Sequence, residues 1–141
     1  MSRITVGIDG SQQALRALSW GVEEARLRGA TLEVLHAVAQ PDLPAYPVVT
    51  AALSQPELTE AGRQLVEDVL ATVDIEGLEV SRTVKPGTGP TLLCEASREA
   101  DLLVVGARGL GGFRGLLLGS VTQQVIAHAA CPVVVVVPED R

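Results

Sequence analysis

Two uninterrupted apolar runs, residues 102–105 and 133–137, constrain the fold of this chain more than any other feature. The first run is Leu-Leu-Val-Val and the second is five consecutive valines. A strand with one face in water alternates apolar and polar residues, whereas a strand covered on both faces needs no alternation. Both runs have the length of strands rather than of helices. They therefore predict buried parallel strands in a sheet that carries helices on both faces.

The N-terminal residues contain a strand, a helix and a second strand. Residues 4–8 and 31–38 have the composition of strands, and Asp9-Gly10-Ser11 between them supplies turn and N-cap chemistry. A helical apolar stripe follows Ser11 and ends at Gly29, where a left-handed C-cap is favourable. The stripe consists of Leu15, Leu18, Val22 and Ala25. This pattern is typical of a βαβ unit.

The remaining residues repeat this alternation. Leu58, Ala61, Leu65 and Val69 share one predicted helix face, residues 78–84 form a weak strand, and Gly89-Pro90 begins the next helix. A last helix is predicted from Ser120 to about Ala130. The pattern predicts an α/β fold with five parallel strands and four helices, in one domain over residues 1–141. Residues 39–56 hold four prolines and no clear period, so we expect a mobile flap or a partner surface there.

Composition and charge exclude several classes of protein. The net charge of −6 opposes a phosphate backbone, so we expect no nucleic-acid partner. No apolar stretch reaches the roughly 18 residues that span a bilayer, and the N-terminus lacks a signal-peptide pattern, so the prediction is a cytoplasmic protein without membrane contact. Aromatic residues are 2% of the chain, so aliphatic side chains must build the core. Cys94 and Cys131 lie among apolar neighbours and are predicted to be buried free thiols.

The segment "GARGLGGFRGLLLGSV", residues 106–121, follows the predicted strand at 102–105 directly. Glycines let backbone N–H groups approach an anion, and a helix N-terminus adds further donors. Gly106, Gly109 and Gly119, with Ser120 at a helix start, therefore fit a phosphate cradle. An alternative is a capping box over residues 120–123, in which Ser120 caps the helix with no ligand bound.

The spacing of this segment, Gly-x2-Gly-x9-Gly-Ser, resembles the signature of the ATP-binding branch of the universal stress protein family. The blocks "VGIDGSQQALRALSW", "TLEVLHAV", "DLLVVGARGLGGFRGLLLGSV" and "HAACPVVVVV" are similar to family blocks in the same order. The resemblance implies a Rossmann-like, adenine nucleotide alpha hydrolase-like sheet, doubly wound in strand order 3-2-1-4-5. It also implies ATP with magnesium as the ligand, and a homodimer through the edge strand at 133–137.

The resemblance implies a set of ligand contacts. Asp9 would contact the ribose, and the backbone of Val38 would meet the adenine. The ribose and phosphates would be held by Gly106, Gly109, Gly119 and Ser120, with further contacts from Val105, Val121 and the Thr122 hydroxyl, the last to a terminal phosphate. Asp9 also fits a simple turn or N-cap role. Arg108 and Arg114 are either phosphate partners or solvated loop charges, and Ala107 stands where many members carry serine.

The predicted function is that of a nucleotide-dependent stress-response regulator, with an unidentified protein partner. Neither His36, at a strand end, nor His128, near the end of the last helix, is adjacent in sequence to the glycine segment. We therefore expect structural roles for both and no catalytic residues. Two alternatives stay open: a slow ATPase, and a partner-binding module of the same fold that binds no nucleotide.

Overall fold

The computed structural model describes residues 2–40, 54–109 and 118–139, in which five strands alternate with four helices. The elements are β1 (Arg3–Gly7), α1 (Gln12–Arg28), β2 (Thr31–Val38), α2 (Gln55–Leu70), β3 (Val80–Pro86), α3 (Gly89–Ser97), β4 (Leu102–Gly106), α4 (Ser120–His128) and β5 (Val133–Val136). Most of the proline-rich segment at 39–56, and Arg114, lie outside the described residues.

All five strands are parallel and form one sheet in the order β3-β2-β1-β4-β5. Val6 of β1 pairs with Val34 of β2 on one side and with Val104 of β4 on the other. The winding direction reverses between β1 and β4, which is where doubly wound sheets bind ligands. The predicted α/β fold and strand order are confirmed.

Local signals explain where α1 begins and ends. The Ser11 hydroxyl accepts a hydrogen bond from the Ala14 N–H at 3.2 Å, which satisfies a donor of the first turn. Gly29 ends the helix with φ of 63°, a conformation that favours glycine. Within the helix, Gly21 allows close approach to β1, because a Cβ there would overlap the Val6 side chain. The N-cap and C-cap predictions are both confirmed.

The core lies on both faces of the sheet, as the two apolar runs predicted. On the face covered by α1 and α2, the fully buried side chains include Ile4, Val6, Leu32 and Val34. On the opposite face a second cluster contains Leu35, Leu93, Leu103, Val105 and Val125. No helix among the described residues is long and apolar enough to cross a membrane.

The predicted face of α2 is partly wrong. Ala61 is exposed, whereas Gly62 and Val66 are buried against the sheet. A Cβ on Gly62 would lie 2.9 Å from Val38 Cγ2, so only glycine lets this turn pack so closely. The apolar period marked the helix correctly, but a glycine without a side chain carries no apolar signal.

Three boundaries and two burial states also differ from the predictions. β3 begins at Val80 rather than at residue 78, α4 ends at His128, and β5 ends at Val136. The valines of β5 are half-buried because this strand is at the edge of the sheet. Cys94 and Cys131 are free as predicted, but they are half-buried at the rim of the second cluster rather than fully buried.

Candidate functional site

A cavity of about 490 Å³ lies at the carboxyl ends of β1, β2 and β4. The N-termini of α1, α3 and α4 complete its walls, so it lies at the point where the winding direction reverses. Nine of the ten residues predicted to bind the ligand line it: Asp9, Val105, Gly106, Arg108, Gly109, Gly119, Ser120, Val121 and Thr122. Residues distant in sequence are thus brought together in one cavity.

Val38 is the predicted site residue that does not line the cavity. Its side chain is buried towards α2, and its carbonyl accepts a hydrogen bond from the Gly87 N–H at 3.0 Å. The neighbouring Ala37 lines the cavity instead. The predicted adenine contact was through the backbone of Val38, and the Val38 carbonyl is bonded to Gly87 instead.

The two ends of the glycine segment are joined at its base. The Gly119 N–H donates to the Ala107 carbonyl at 2.8 Å, and the Ala107 N–H donates to the Val136 carbonyl at 3.0 Å. Ala107 itself is fully buried. Residues 107 and 119 are therefore held together at the carboxyl end of β4, beside the edge strand β5.

The N-terminus of α4 differs from those of α1 and α3. Ser11 caps α1 and Thr88 caps α3 through their hydroxyls, whereas Gly119 is the N-cap of α4 and no side chain of the described residues caps that helix. Ser120 is exposed and is the first helical residue, so the alternative in which it acts as the cap is wrong. A helix N-terminus without a side-chain cap presents its donors and its positive dipole end to a bound anion.

The charges that line the cavity come from two of the described residues, Asp9 and Arg108. The Asp9 carboxylate accepts a hydrogen bond from the Ser11 N–H at 3.0 Å, so the turn role considered for it is present in the structure. Arg108 forms no ion pair with the described part of the chain. A cation beside an open helix N-terminus favours an anionic group at that end of the cavity.

The glycines of the segment are required for different reasons. A Cβ on Gly106 would lie 2.8 Å from Gln13 Cβ and 3.1 Å from the Gln13 carbonyl oxygen, so this glycine lets α1 approach β4. A Cβ on Gly109 would overlap an oxygen of the Asp9 carboxylate. Gly106 therefore serves packing, and Gly109 leaves room for a polar group of the cavity.

Sequence reasoning missed several residues of the cavity, of which His36 is the most polar. His36 is half-buried, and its Nδ1 lies 2.9 Å from the Ile8 carbonyl oxygen. Gly89 and Leu93 of α3 also line the cavity, and Leu93 packs against Gly7. The Gly89-Pro90 helix start was a usable signal for this wall, since helices that follow strands begin at the same edge of the sheet.

The described residues of the cavity offer few ligands for a magnesium ion. Asp9 is the one carboxylate among the described lining residues, and the described ranges contain no group of three or more His, Cys, Asp or Glu side chains that could hold a metal. Mg²⁺ commonly binds through one or two carboxylates together with substrate phosphates. The residues present fit a magnesium ion that enters with a phosphorylated ligand, and they do not fit a resident metal centre.

Comparisons with known proteins agree with this fold. The model of the universal stress protein family matches residues 1–137. The universal stress protein Rv2623 of Mycobacterium tuberculosis (strain ATCC 25618 / H37Rv) is 35% identical over 145 residues, covering 97% of this chain and 48% of that protein. The chain thus spans about half the length of the curated relatives it matches.

Solved structures are also similar to it. The universal stress protein UspA from Lactobacillus plantarum is 27% identical with a TM-score of 0.74, covering 96% of this chain and 97% of that one. A universal stress protein in complex with cAMP is 28% identical with a TM-score of 0.64, covering 96% of this chain and 95% of that one.

Proposed function

This chain belongs to the universal stress protein family, and from that premise we propose that it is a cytoplasmic ATP-binding regulator that acts as a homodimer. The observation that carries the proposal is the cavity of about 490 Å³ beneath the uncapped N-terminus of α4. A volume of this size is typical of small-molecule sites. The related protein in complex with cAMP supports an adenine nucleotide as the ligand.

The apolar end of the cavity suits a purine base. Leu35, Ala37 and Val105 line it from the sheet and Leu93 lines it from α3. We assign this end to the adenine, with Asp9 at the ribose.

The polar end of the cavity suits phosphates. Gly119 and Ser120 present the N-terminus of α4, and Arg108 adds a positive charge. Backbone N–H groups, a helix dipole and a guanidinium all favour an anion. ATP would carry magnesium on its phosphates, since Asp9 is the one described carboxylate of the cavity.

The proposed role is binding rather than catalysis. Hydrolysis of ATP needs a group that orients water on the terminal phosphate. His36 is a histidine of the cavity wall, but its Nδ1 lies 2.9 Å from the Ile8 carbonyl oxygen. This ring nitrogen is therefore bonded to the backbone and does not serve as the group that orients water. A regulator instead requires that ATP bind one conformation better than another, so that binding shifts the population recognised by a partner.

The proposed homodimer forms through β5, an edge strand of the sheet. Apolar side chains are exposed around this edge, with Val137 at 39% and Ile126 of α4 at 49% exposure. An unprotected edge strand tends to pair with another chain.

The first test is direct. Mass spectrometry of nucleotide released from the purified protein identifies the ligand, and calorimetric titration with ATP and MgCl₂ measures the affinity. We expect one ATP per chain, with Arg108→Ala weakening ATP but not adenosine. Arg63→Ala is the matched control, because Arg63 lies on α2 and pairs with Glu60 away from the cavity.

The outcomes separate the remaining functions. Absence of released nucleotide together with no binding at millimolar ATP would reject the proposal and favour the partner-binding module. Steady release of inorganic phosphate, abolished by a cavity substitution, would favour the slow ATPase. ATP binding without turnover supports the regulator.

A further inference from the structure

Thr122 lines the wall of the cavity, but its hydroxyl is bonded to the backbone of the chain itself. Thr122 Oγ1 donates to the Gly106 carbonyl at 2.7 Å, and the residue is 3% exposed. We infer that Thr122 is a positioning residue that aims the N-terminus of α4 at the nucleotide, and that it does not contact phosphate directly. This inference rests on the proposed nucleotide binding.

Two hydrogen bonds fix the start of α4 relative to the end of β4. One joins the Gly119 N–H to the Ala107 carbonyl at 2.8 Å, and the other is the bond from Thr122 to Gly106. Both acceptors lie at the carboxyl end of β4, and both donors lie within the first turn of α4 or just before it. Because no side chain in the described part of the chain caps this helix, these two bonds determine where its first N–H groups point.

The position of α4 matters most for the phosphate that is joined to the ribose. A Cβ on Gly119 would lie 3.4 Å from Arg108 Cα and 3.5 Å from the Gly109 nitrogen, so these backbones are in contact. Gly109 in turn lies against the Asp9 carboxylate, which is the proposed ribose contact. The N-terminus of α4 therefore lies next to the proposed position of the ribose. The phosphate joined to the ribose, the α-phosphate, is present in both AMP and ATP.

Loss of the hydroxyl would leave the Gly106 carbonyl without its partner. Thr122→Val keeps the shape of the side chain, but the half-buried Gly106 carbonyl then requires a water molecule or a shift of the helix. A displacement of about 1 Å is enough to spoil a preorganised set of donors. Binding of the phosphates should therefore weaken, while the apolar end of the cavity, assigned to the adenine, stays in place.

The experiment compares adenosine, AMP and ATP on the same variants by calorimetry. For Thr122→Val we expect AMP and ATP to bind about tenfold more weakly, and adenosine to bind within about twofold of wild type. Thr122→Ser retains the hydroxyl and should restore binding of both nucleotides. If Thr122→Val does not fold, the pair Thr122→Ala and Thr122→Ser makes the same comparison.

Thr72→Val is the matched control. The Thr72 hydroxyl donates to the Val69 carbonyl at 2.7 Å, a bond of the same kind at the far end of α2. This variant should lower the melting temperature and leave the affinity for all three ligands unchanged. This control separates a general loss of stability from a displacement of the N-terminus of α4.

The outcomes distinguish a positioning role of Thr122 from a direct contact with phosphate, and both from a protein that binds no nucleotide. Loss confined to ATP, with AMP unaffected, would overturn the inference and make Thr122 a contact to the terminal phosphate. Unchanged affinities in Thr122→Val, or an equal loss for adenosine, would also overturn it. Failure of the wild type to bind any of the three ligands would reject the proposed function and the inference with it.

Discussion

Gly106 and Gly109 lie three residues apart in the same segment and contact different parts of the protein. Gly106 faces the backbone of Gln13 on α1, and Gly109 faces the carboxylate of Asp9. A methyl group against a backbone forces an element to move, whereas a methyl group against a side-chain oxygen moves only that side chain. The two substitutions to alanine should therefore affect different properties.

We expect Gly106→Ala to lower stability by about 1–3 kcal/mol, because the methyl group overpacks the contact between α1 and β4. Gly109→Ala should keep nearly the wild-type melting temperature but lose ATP binding, because Asp9 is displaced from its place beside the ribose. Urea unfolding and ATP titration of both variants check this. The reverse result, with Gly109→Ala unstable and Gly106→Ala unable to bind, would contradict these assignments.

Cys131 illustrates a different residue-scale effect. Burial, and secondarily the charge of Asp101, raise the pKa of the Cys131 thiol. The folded protein therefore binds this proton more tightly than the unfolded chain does, so the contribution of this group is fully present at neutral pH and is lost as pH rises through the raised pKa.

In a Cys94→Ser background, we expect iodoacetamide to alkylate Cys131 with a midpoint at higher pH in the folded protein than in urea. Asp101→Asn should lower that midpoint, because it removes the repulsion on the thiolate. The Asp101 carboxylate also accepts from the Arg3 N–H, so circular dichroism must confirm that this variant is folded. Identical midpoints in the folded and unfolded protein would refute the expectation.

Among the elements, β2 carries a polar interaction that links three neighbouring strands. Glu33 of β2 is 8% exposed and accepts hydrogen bonds from Thr5 of β1 and Thr83 of β3, both at 2.7 Å. The two bonds give each oxygen of the carboxylate a partner, and an unpaired carboxylate would be costly to bury. They also favour the observed register, since a shift of one residue would turn these side chains to the other face.

We expect Glu33→Leu to lower stability by about 2–4 kcal/mol, because two threonine hydroxyls, at least one of them fully buried, lose their partner. Glu33→Gln should cost less, since an amide can accept from one hydroxyl and donate to the other. Replacing all three residues with Thr5→Val, Glu33→Leu and Thr83→Val should recover much of the loss. Urea unfolding tests this series, and a triple variant less stable than Glu33→Leu alone would contradict it.

The sequence predicted what is local within an element and missed what lies between elements. The caps of α1 and the two apolar runs follow from neighbouring residues, so they were predictable. The bond from Thr122 to Gly106 joins residues 16 positions apart, and the two bonds of Glu33 join it to residues 28 and 50 positions away on neighbouring strands. Such pairs become visible only when the strand order and register are known.

The same reasoning explains the candidate site. Its glycine spacing lies in one segment and was recognised, whereas His36 and Leu93 enter the cavity from other elements. Gly62 shows the limit on the opposite face, since its close packing against β2 leaves no apolar signal in the sequence.

At the scale of the whole molecule, the glycine segment and the proposed dimer edge are directly connected. Ala107 donates to Val136 of β5 and accepts from Gly119 at the start of α4. Beyond β5, the Val137 carbonyl accepts from Arg16 Nε of α1 at 3.2 Å. The edge strand is thus linked to the cavity wall through one residue, Ala107. A partner bound at β5 would contact a strand that is hydrogen-bonded to the base of the glycine segment.

The hydrogen bonds of β5 show which of its residues are available to a second chain. The Pro132 and Val136 carbonyls accept from Leu103 and Ala107 on the β4 side, both at 3.0 Å. Because this direction alternates along a strand, Val134 also points its backbone groups towards β4, whereas Val133 and Val135 point theirs outward. The outward groups are the ones that a second copy would pair.

Two proline substitutions one residue apart therefore test the dimer. Val135→Pro removes an outward N–H and is tolerated at a sheet edge, so the chain should fold but lose the dimer. Val134→Pro removes a bond to β4 and should therefore lower the stability clearly more than Val135→Pro does. Light scattering after size-exclusion chromatography gives the mass of each variant, and thermal unfolding gives its stability. A Val135→Pro chain that still has twice the monomer mass would show that the copies meet elsewhere, and a monomeric wild type would reject the homodimer itself.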